Sequence, residues 1–148
     1  MSLENFIKDF KDKKVLVFGL GILGGGEGVV QSLIQAGAHI RITDLKTEAE
    51  LSSVLQKVDL TKIDALTLEK HSHEDIDWAD IIIKNPAVPS DNEYILYSNK
   101  QGKQVTTEAA LFLKYTDTIT IGITGTRGKT TTTSMIHHVI KNLSLIHI

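Results

Sequence analysis

A glycine-rich stretch at residues 124–131, with one lysine and four threonines, follows a β-branched apolar run at residues 118–123. The order of these features predicts a strand, a tight loop and a helix that opens on Gly-Lys-Thr. Glycines let backbone N–H groups converge on an anion, and a helix N-terminus adds partial positive charge. The loop is therefore a candidate triphosphate cradle, although Ile123 stands where the strict G-x-x-x-x-G-K-[ST] template has glycine. The candidate residues are Gly125, Thr126, Arg127, Gly128, Lys129, Thr130 and Thr131.

Two of these residues carry the chemistry expected of such a loop. Lys129 would reach the β- and γ-phosphates, and the Thr130 hydroxyl would be a ligand of Mg²⁺. Both are the candidate catalytic residues, with a nucleoside triphosphate and Mg²⁺ as the expected ligands and Thr130 as the predicted metal ligand. A surface turn that happens to read Gly-Lys-Thr is the alternative.

The rest of the chain alternates apolar strand-like runs with helical periodicity, which is typical of an α/β fold with a mostly parallel sheet. We predict a Rossmann-like domain over residues 1–115, followed by the start of a P-loop ATP-binding α/β domain over 116–148. The second domain is expected to be truncated, because its loop lies close to the end of the 148 residues. Strands are predicted at 14–18, 39–43, 63–68, 80–84 and 104–106, and a helix at 108–115 with Leu111 and Phe112 buried.

A second glycine string lies between the first predicted strand and the helix that follows it. Gly19, Gly21 and Gly24 have the G-x-G-x-x-G spacing, and Asp44 ends the next strand, 20 residues after Gly24. In dinucleotide-binding folds such glycines allow a tight turn and phosphate approach, while the acidic residue binds ribose hydroxyls. A nucleotide-type ligand is predicted, and a tight turn in a domain with no ligand remains the alternative.

Composition excludes several classes of protein. The net charge is −2 with no basic run, so nucleic acid is not an expected partner. No apolar run approaches the roughly 18 residues of a membrane span, and the N-terminus has no signal-peptide layout. The chain has no cysteine, which fits a cytoplasmic protein.

The two loops in tandem resemble the Mur ligase family. The motifs that carry the resemblance are Gly19-Leu20-Gly21-Ile22-Leu23-Gly24, Thr43-Asp44, Asn85-Pro86-Ala87-Val88 and Gly122-Ile123-Thr124-Gly125-Thr126. Within the family they are most similar to the members that add D-glutamate to UDP-N-acetylmuramoyl-L-alanine in peptidoglycan synthesis. The resemblance covers nearly the whole chain, to about Lys141.

The resemblance implies that the two loops bind different nucleotides. The first domain would bind UDP-N-acetylmuramoyl-L-alanine, with Gly21, Ile22, Leu23 and Gly24 facing the diphosphate and Asp44 near the uridine. Asn85 and Pro86 would form a turn beside the nucleotide. ATP would phosphorylate the substrate carboxylate, and D-glutamate would attack the resulting acyl phosphate. The fragment is expected to be a monomer that binds ligands without catalysis.

Other readings remain. An NAD-dependent dehydrogenase would use the first glycine string and Asp44 but leaves the second loop unexplained, and a sibling ligase of the same family is the nearest alternative. His71 and His73, with Glu74 and Asp75, have the look of a metal site, but we interpret them as a solvated loop.

Overall fold

The computed structural model describes residues 3–22 and 25–142. The chain divides into two units, Met1–Asp117 and Thr118–Ile148. Two of the residues predicted to bind substrate, Leu23 and Gly24, lie outside the described residues.

The first unit contains a five-stranded sheet in which every neighbouring pair of strands is parallel. Its strands are β1 (Lys14–Phe18), β2 (His39–Asp44), β3 (Ala65–Leu68), β4 (Ile81–Lys84) and β5 (Gln104–Thr107). The order across the sheet is β3-β2-β1-β4-β5. The predicted α/β class with a parallel sheet is confirmed.

Helices connect the strands and cover both faces of the sheet. They are α1 (Leu3–Phe10), α2 (Gly25–Ala36), α3 (Glu48–Leu55), α4 (His73–Trp78), α5 (Glu93–Lys100) and α6 (Glu108–Tyr115), and the second unit adds α7 (Lys129–Asn142). A short 3₁₀ helix spans Leu60–Lys62. Sequence periodicity did not predict α1 or α4.

Two apolar clusters sandwich the sheet, because successive side chains of a strand point to opposite faces. In β1, Val15 and Val17 join the cluster that α1, α2, α3 and α6 complete, whereas Leu16 and Phe18 join the cluster completed by α4 and α5. A strand buried on both faces needs a continuous apolar run, which explains why Lys14–Phe18 shows no alternation. Phe112 in α6 was predicted to be buried, but 61% of it is exposed, and only Leu111 joins the core.

The predicted strand at residues 118–123 is wrong. These residues form no strand, Ile119 is 98% exposed and Ile121 is 55% exposed. β-branched composition favours a pleated, half-buried environment, but composition alone does not make a strand.

Candidate functional site

The first glycine loop follows β1 at the centre of the sheet. Gly19 has φ +84° and Gly21 has φ +68°, a left-handed conformation that favours glycine at both positions. The N–H of Gly19 donates to the carbonyl of Thr43 at 2.7 Å, which ties the start of the loop to β2. The strand order β3-β2-β1-β4-β5 runs outward in both directions from β1 and β4, so the topology switches direction beside β1. Ligands of open parallel sheets bind at such a switch point, at the carboxyl ends of the strands.

Asp44 braces this loop from the end of β2. Its Oδ2 accepts the N–H of Gly21 and its Oδ1 accepts the N–H of Lys46, both at 2.9 Å. The residue is only 7% exposed, so the two hydrogen bonds also compensate for burying the carboxylate. The structure therefore assigns Asp44 a bracing role, and its contact with a nucleoside stays a prediction.

Asn85, just after β4, closes the other side of the loop. Its backbone N–H donates to the carbonyl oxygen of Phe18 at 2.8 Å, and its Oδ1 accepts the N–H of Ala87 at 2.9 Å. A Cβ on Gly21 would lie 2.7 Å from the Asn85 Nδ2, so the amide nitrogen presses against the glycine. Within the described residues that nitrogen donates no hydrogen bond, which leaves two N–H groups beside the loop for an acceptor.

The turn that carries Asn85 is itself held in place. The Nζ of Lys84 donates to the carbonyl of Val88 at 2.7 Å, and the N–H of Val88 donates to the carbonyl of Asn85 at 3.0 Å. Pro86 is exposed on the turn. The fixed turn presents the Asn85 side chain to the glycine loop in one orientation.

A small cavity lies between these parts. Its volume is about 20 Å³, and its lining includes Gly19, Gly26, Lys84, Asn85, Pro86 and Glu108. A space of this size holds about one water molecule. Ile22, another predicted substrate-binding residue, is 52% exposed and does not line it. The structure thus brings together Gly21, Asp44, Asn85 and Pro86 of the predicted set.

Sequence reasoning missed a polar cluster on the α4 and α5 side of the same sheet edge. The Thr43 Oγ1 donates to the carbonyl of Lys70 at 3.0 Å and lies 2.9 Å from the Nδ1 of His71. The single hydroxyl proton of Thr43 is used in the bond to Lys70. We therefore assign a proton to the His71 Nδ1, which donates to the Thr43 Oγ1. The His71 ring stacks on Phe18 at 3.9 Å between centroids.

The solvated-loop interpretation of this histidine is wrong, because His71 is half-buried. Burial lowers the pKa of His71, against the opposing effect of the Asp44 and Asp75 carboxylates. Asp75 is buried as well and pairs with Arg41 at 3.0 Å. The available signal was position, since His71 follows β3 at the carboxyl edge. No group of three His, Cys, Asp or Glu residues in residues 3–22 and 25–142 could hold a metal.

The second glycine loop belongs to the second unit. Gly125 has φ +145° and Gly128 has φ +77°, and α7 begins immediately afterwards at Lys129. The Lys129 Nζ donates to the carbonyl of Gly125 at 2.6 Å, so the ammonium lies over the loop. The predicted neighbours Thr126, Arg127, Thr130 and Thr131 are all exposed.

This geometry fits a polyphosphate. An ammonium held over a glycine turn and the N-terminus of a 14-residue helix both favour negative charge. For Mg²⁺ the loop offers one neutral oxygen, the Thr130 hydroxyl. Magnesium prefers six oxygen ligands and keeps several waters, so phosphate oxygens and water would supply the others.

Comparison with known proteins identifies the family. No family model matches the chain. A UDP-N-acetylmuramoylalanine–D-glutamate ligase of Borreliella afzelii is 38% identical over 136 residues, which cover 91% of this chain and 29% of the relative. The chain belongs to the Mur ligase family. Ligases of the same name from Roseiflexus sp. and Clostridioides difficile are 34% and 37% identical over 87% and 88% of this chain, and 28% and 29% of the relatives.

A solved structure agrees with this assignment to the Mur ligases. It is a pseudomurein peptide ligase type C from Methanothermus fervidus, with a TM-score of 0.53 and 26% identity over 86% of this chain and 26% of that one. The chain thus spans less than a third of the length of the relatives it matches. Among the described helices, none has both the length and the apolar character needed to cross a membrane.

Proposed function

We propose that this chain carries the nucleotide-binding part of an ATP-dependent, ADP-forming ligase that joins D-glutamate to UDP-N-acetylmuramoyl-L-alanine. The observation that carries the proposal is the convergence of Gly21, Asp44 and Asn85 at the carboxyl edge of a parallel sheet. The names of the relatives supply the substrates, and the two loops supply a place for each nucleotide.

The first unit would bind the UDP end of the acceptor. The Asn85 amide offers its free N–H groups next to Gly21, where a diphosphate would approach the backbone most closely. Asp44 would hold the loop in its open conformation through the hydrogen bond from the N–H of Gly21. Without this bond the loop backbone would be free to move into the space that the diphosphate needs. Ile22 lies on the exposed side of the loop, where it would pack against the ligand.

The second unit would bind ATP. When bound, ATP supplies the phosphoryl group that turns a substrate carboxylate into an acyl phosphate, the form that the amine of D-glutamate attacks. Lys129 would exchange the Gly125 carbonyl for phosphate oxygens, and Thr130 would hold Mg²⁺. Phosphoryl transfer depends mostly on positioning and charge neutralisation, which a lysine, a metal and a helix N-terminus provide.

Calorimetric titration of the 148-residue chain with UDP-N-acetylmuramoyl-L-alanine tests the first part, with NADH as the control ligand. Binding of the UDP-sugar and not of NADH is the expected result. NADH binding without UDP-sugar binding would replace the ligase proposal by a dehydrogenase.

Titration with Mg-ATP tests the second part. Lys129→Ala should weaken ATP binding by roughly 10- to 100-fold, since it removes a charge-assisted hydrogen bond worth about 1.5–3 kcal/mol. Lys141→Ala, an exposed lysine in the last turn of the same helix, is the matched control and should bind ATP like the unmodified chain. Equal affinities in the two variants would remove the ATP assignment from this loop.

A further inference from the structure

Glu108, the first residue of α6, places its carboxyl group against the start of α2. A Cβ on Gly25 would collide with the Glu108 Oε2 and lie 3.2 Å from Cδ and 3.4 Å from Oε1. The carboxyl group therefore fills the space beside the first residue of α2. A side chain at position 25 would require this carboxyl group to move.

The position of this carboxylate is not explained by a hydrogen bond. Within the described residues Glu108 forms no hydrogen bond or salt bridge, and the N-cap of its own helix is Thr107, whose hydroxyl accepts the N–H of Ala110 at 3.3 Å. The N-terminus of the 12-residue α2 attracts negative charge. Since that attraction is electrostatic and Glu108 is exposed, the carboxylate is able to leave.

The same carboxylate lines the 20 Å³ cavity between Gly19, Gly26 and Asn85. A diphosphate that approaches the Asn85 amide and the start of α2 would need this space and carries the same sign of charge. The space among these side chains holds about one water, so a phosphate group seated at the same place would displace the Glu108 carboxylate. Among the lining side chains Glu108 combines exposure, negative charge and the lack of a hydrogen-bond partner.

We propose that Glu108 is an acidic gate of the glycine-loop cavity, occupying the place of an incoming diphosphate that must displace it. The proposal rests on the proposed function for the nature of the ligand. It makes Glu108 a residue that sets affinity and salt dependence without taking part in catalysis. A neutral side chain at this position would bind the anion more tightly.

The test compares Glu108→Gln with Glu93→Gln, which removes an equivalent exposed charge from the first turn of α5. Inorganic diphosphate and UDP are titrated into each 148-residue chain at low ionic strength, and the amide resonances of Gly25 and Gly26 are followed. Glu108→Gln should bind both probes about three- to tenfold more tightly than the unmodified chain, a gain that shrinks in high salt. Glu93→Gln should not differ. Glu108→Ala should change affinity in the same direction as Glu108→Gln.

Three results would overturn the gate: unchanged affinity in Glu108→Gln, weaker affinity, or no binding of either probe to any variant. The ligand-free Gly25 resonance should also shift in Glu108→Gln and not in Glu93→Gln. If diphosphate binding tightens as expected but UDP-N-acetylmuramoyl-L-alanine binds no variant, the gate stands and the proposed function fails.

Discussion

The two glycine-rich loops of this chain differ in what surrounds their glycines. In the first loop the space beside the glycines is occupied: Gly21 faces the Asn85 amide, Gly25 faces Glu108 and Gly26 faces the backbone of Leu20. In the second, a Cβ on Gly128 would have no atom of the described residues within 4 Å, and a Cβ on Gly125 would have one among them, the Arg127 carbonyl oxygen at 3.5 Å. The first loop is shaped by packing within its own unit, whereas the second is shaped by its backbone conformation and by the hydrogen bond from Lys129 to the Gly125 carbonyl.

This difference leads to different expectations for substitutions in the two loops under the proposed function. A loop packed against Asp44, Asn85 and Glu108 is organised before the ligand arrives, so its substitutions should change folding as well as binding. A loop that touches little should affect ligand binding without disturbing the core of the first unit. The following variants test that contrast.

The largest effect is expected for Gly26→Ala. Its Cβ would collide with the carbonyl of Leu20, a backbone atom that cannot swing aside. We expect a loss of about 3 kcal/mol in the free energy of unfolding, measured by urea denaturation with Trp78 fluorescence. Gly28→Ala in the same helix has open space and should gain about 0.5–1 kcal/mol. Equal stabilities of the two variants would contradict the packed-loop description.

Asp44→Asn should have the next largest effect. The asparagine amide keeps one acceptor oxygen but turns its N–H₂ group toward a backbone N–H. At this buried site we expect the free energy of unfolding to fall by about 2 kcal/mol. Asp59→Asn is the control, because Asp59 is the exposed N-cap of the 3₁₀ helix and asparagine caps equally well. The same urea measurement should show a loss for Asp44→Asn and no change for Asp59→Asn. An unchanged free energy of unfolding in Asp44→Asn would mean that the loop does not depend on the hydrogen bonds of Asp44.

Gly128→Ala should act locally in the second unit. An alanine at φ +77° should lower the stability of this turn by about 1 kcal/mol through backbone strain. No steric clash with the described residues adds to this loss. Amide exchange in the first turn of α7 should quicken while the Trp78 transition of the first unit stays in place. Gly122→Ala, which has open space and an ordinary φ, should change neither. A shift of the Trp78 transition in Gly128→Ala would break the comparison between the loops.

The smallest effect concerns pH. Because burial lowers the pKa of His71, the unfolded chain takes up a proton more readily than the folded one. Stability should then be full above the ordinary histidine pKa and fall as pH drops through the window between that value and the lowered one. His71→Gln should flatten the slope of unfolding free energy against pH in this window. An unchanged slope would mean that another group controls it.

Local sequence was enough for most of the first unit. The apolar run of β1 and the helix at 108–115 were predicted from residue types alone, and each is present. Thr47 caps α3 in a capping box with Glu50, a pattern that depends on residues three apart in sequence. Such features depend on neighbours in sequence, because turn conformation and periodicity involve few residues.

Long-range partners were not predictable in this way. The contact of Asp44 with Gly21, the approach of Glu108 to Gly25 and the stacking of His71 on Phe18 all depend on the order of strands in the sheet. The run at 118–123 has strand composition yet forms no strand, so composition alone was not enough to predict one correctly. The sequence by itself determined where the glycine turns and most of the elements lie. Only the tertiary structure decided which charges meet those turns, because hydrogen bonds and close contacts across a sheet depend on packing rather than on neighbours along the chain.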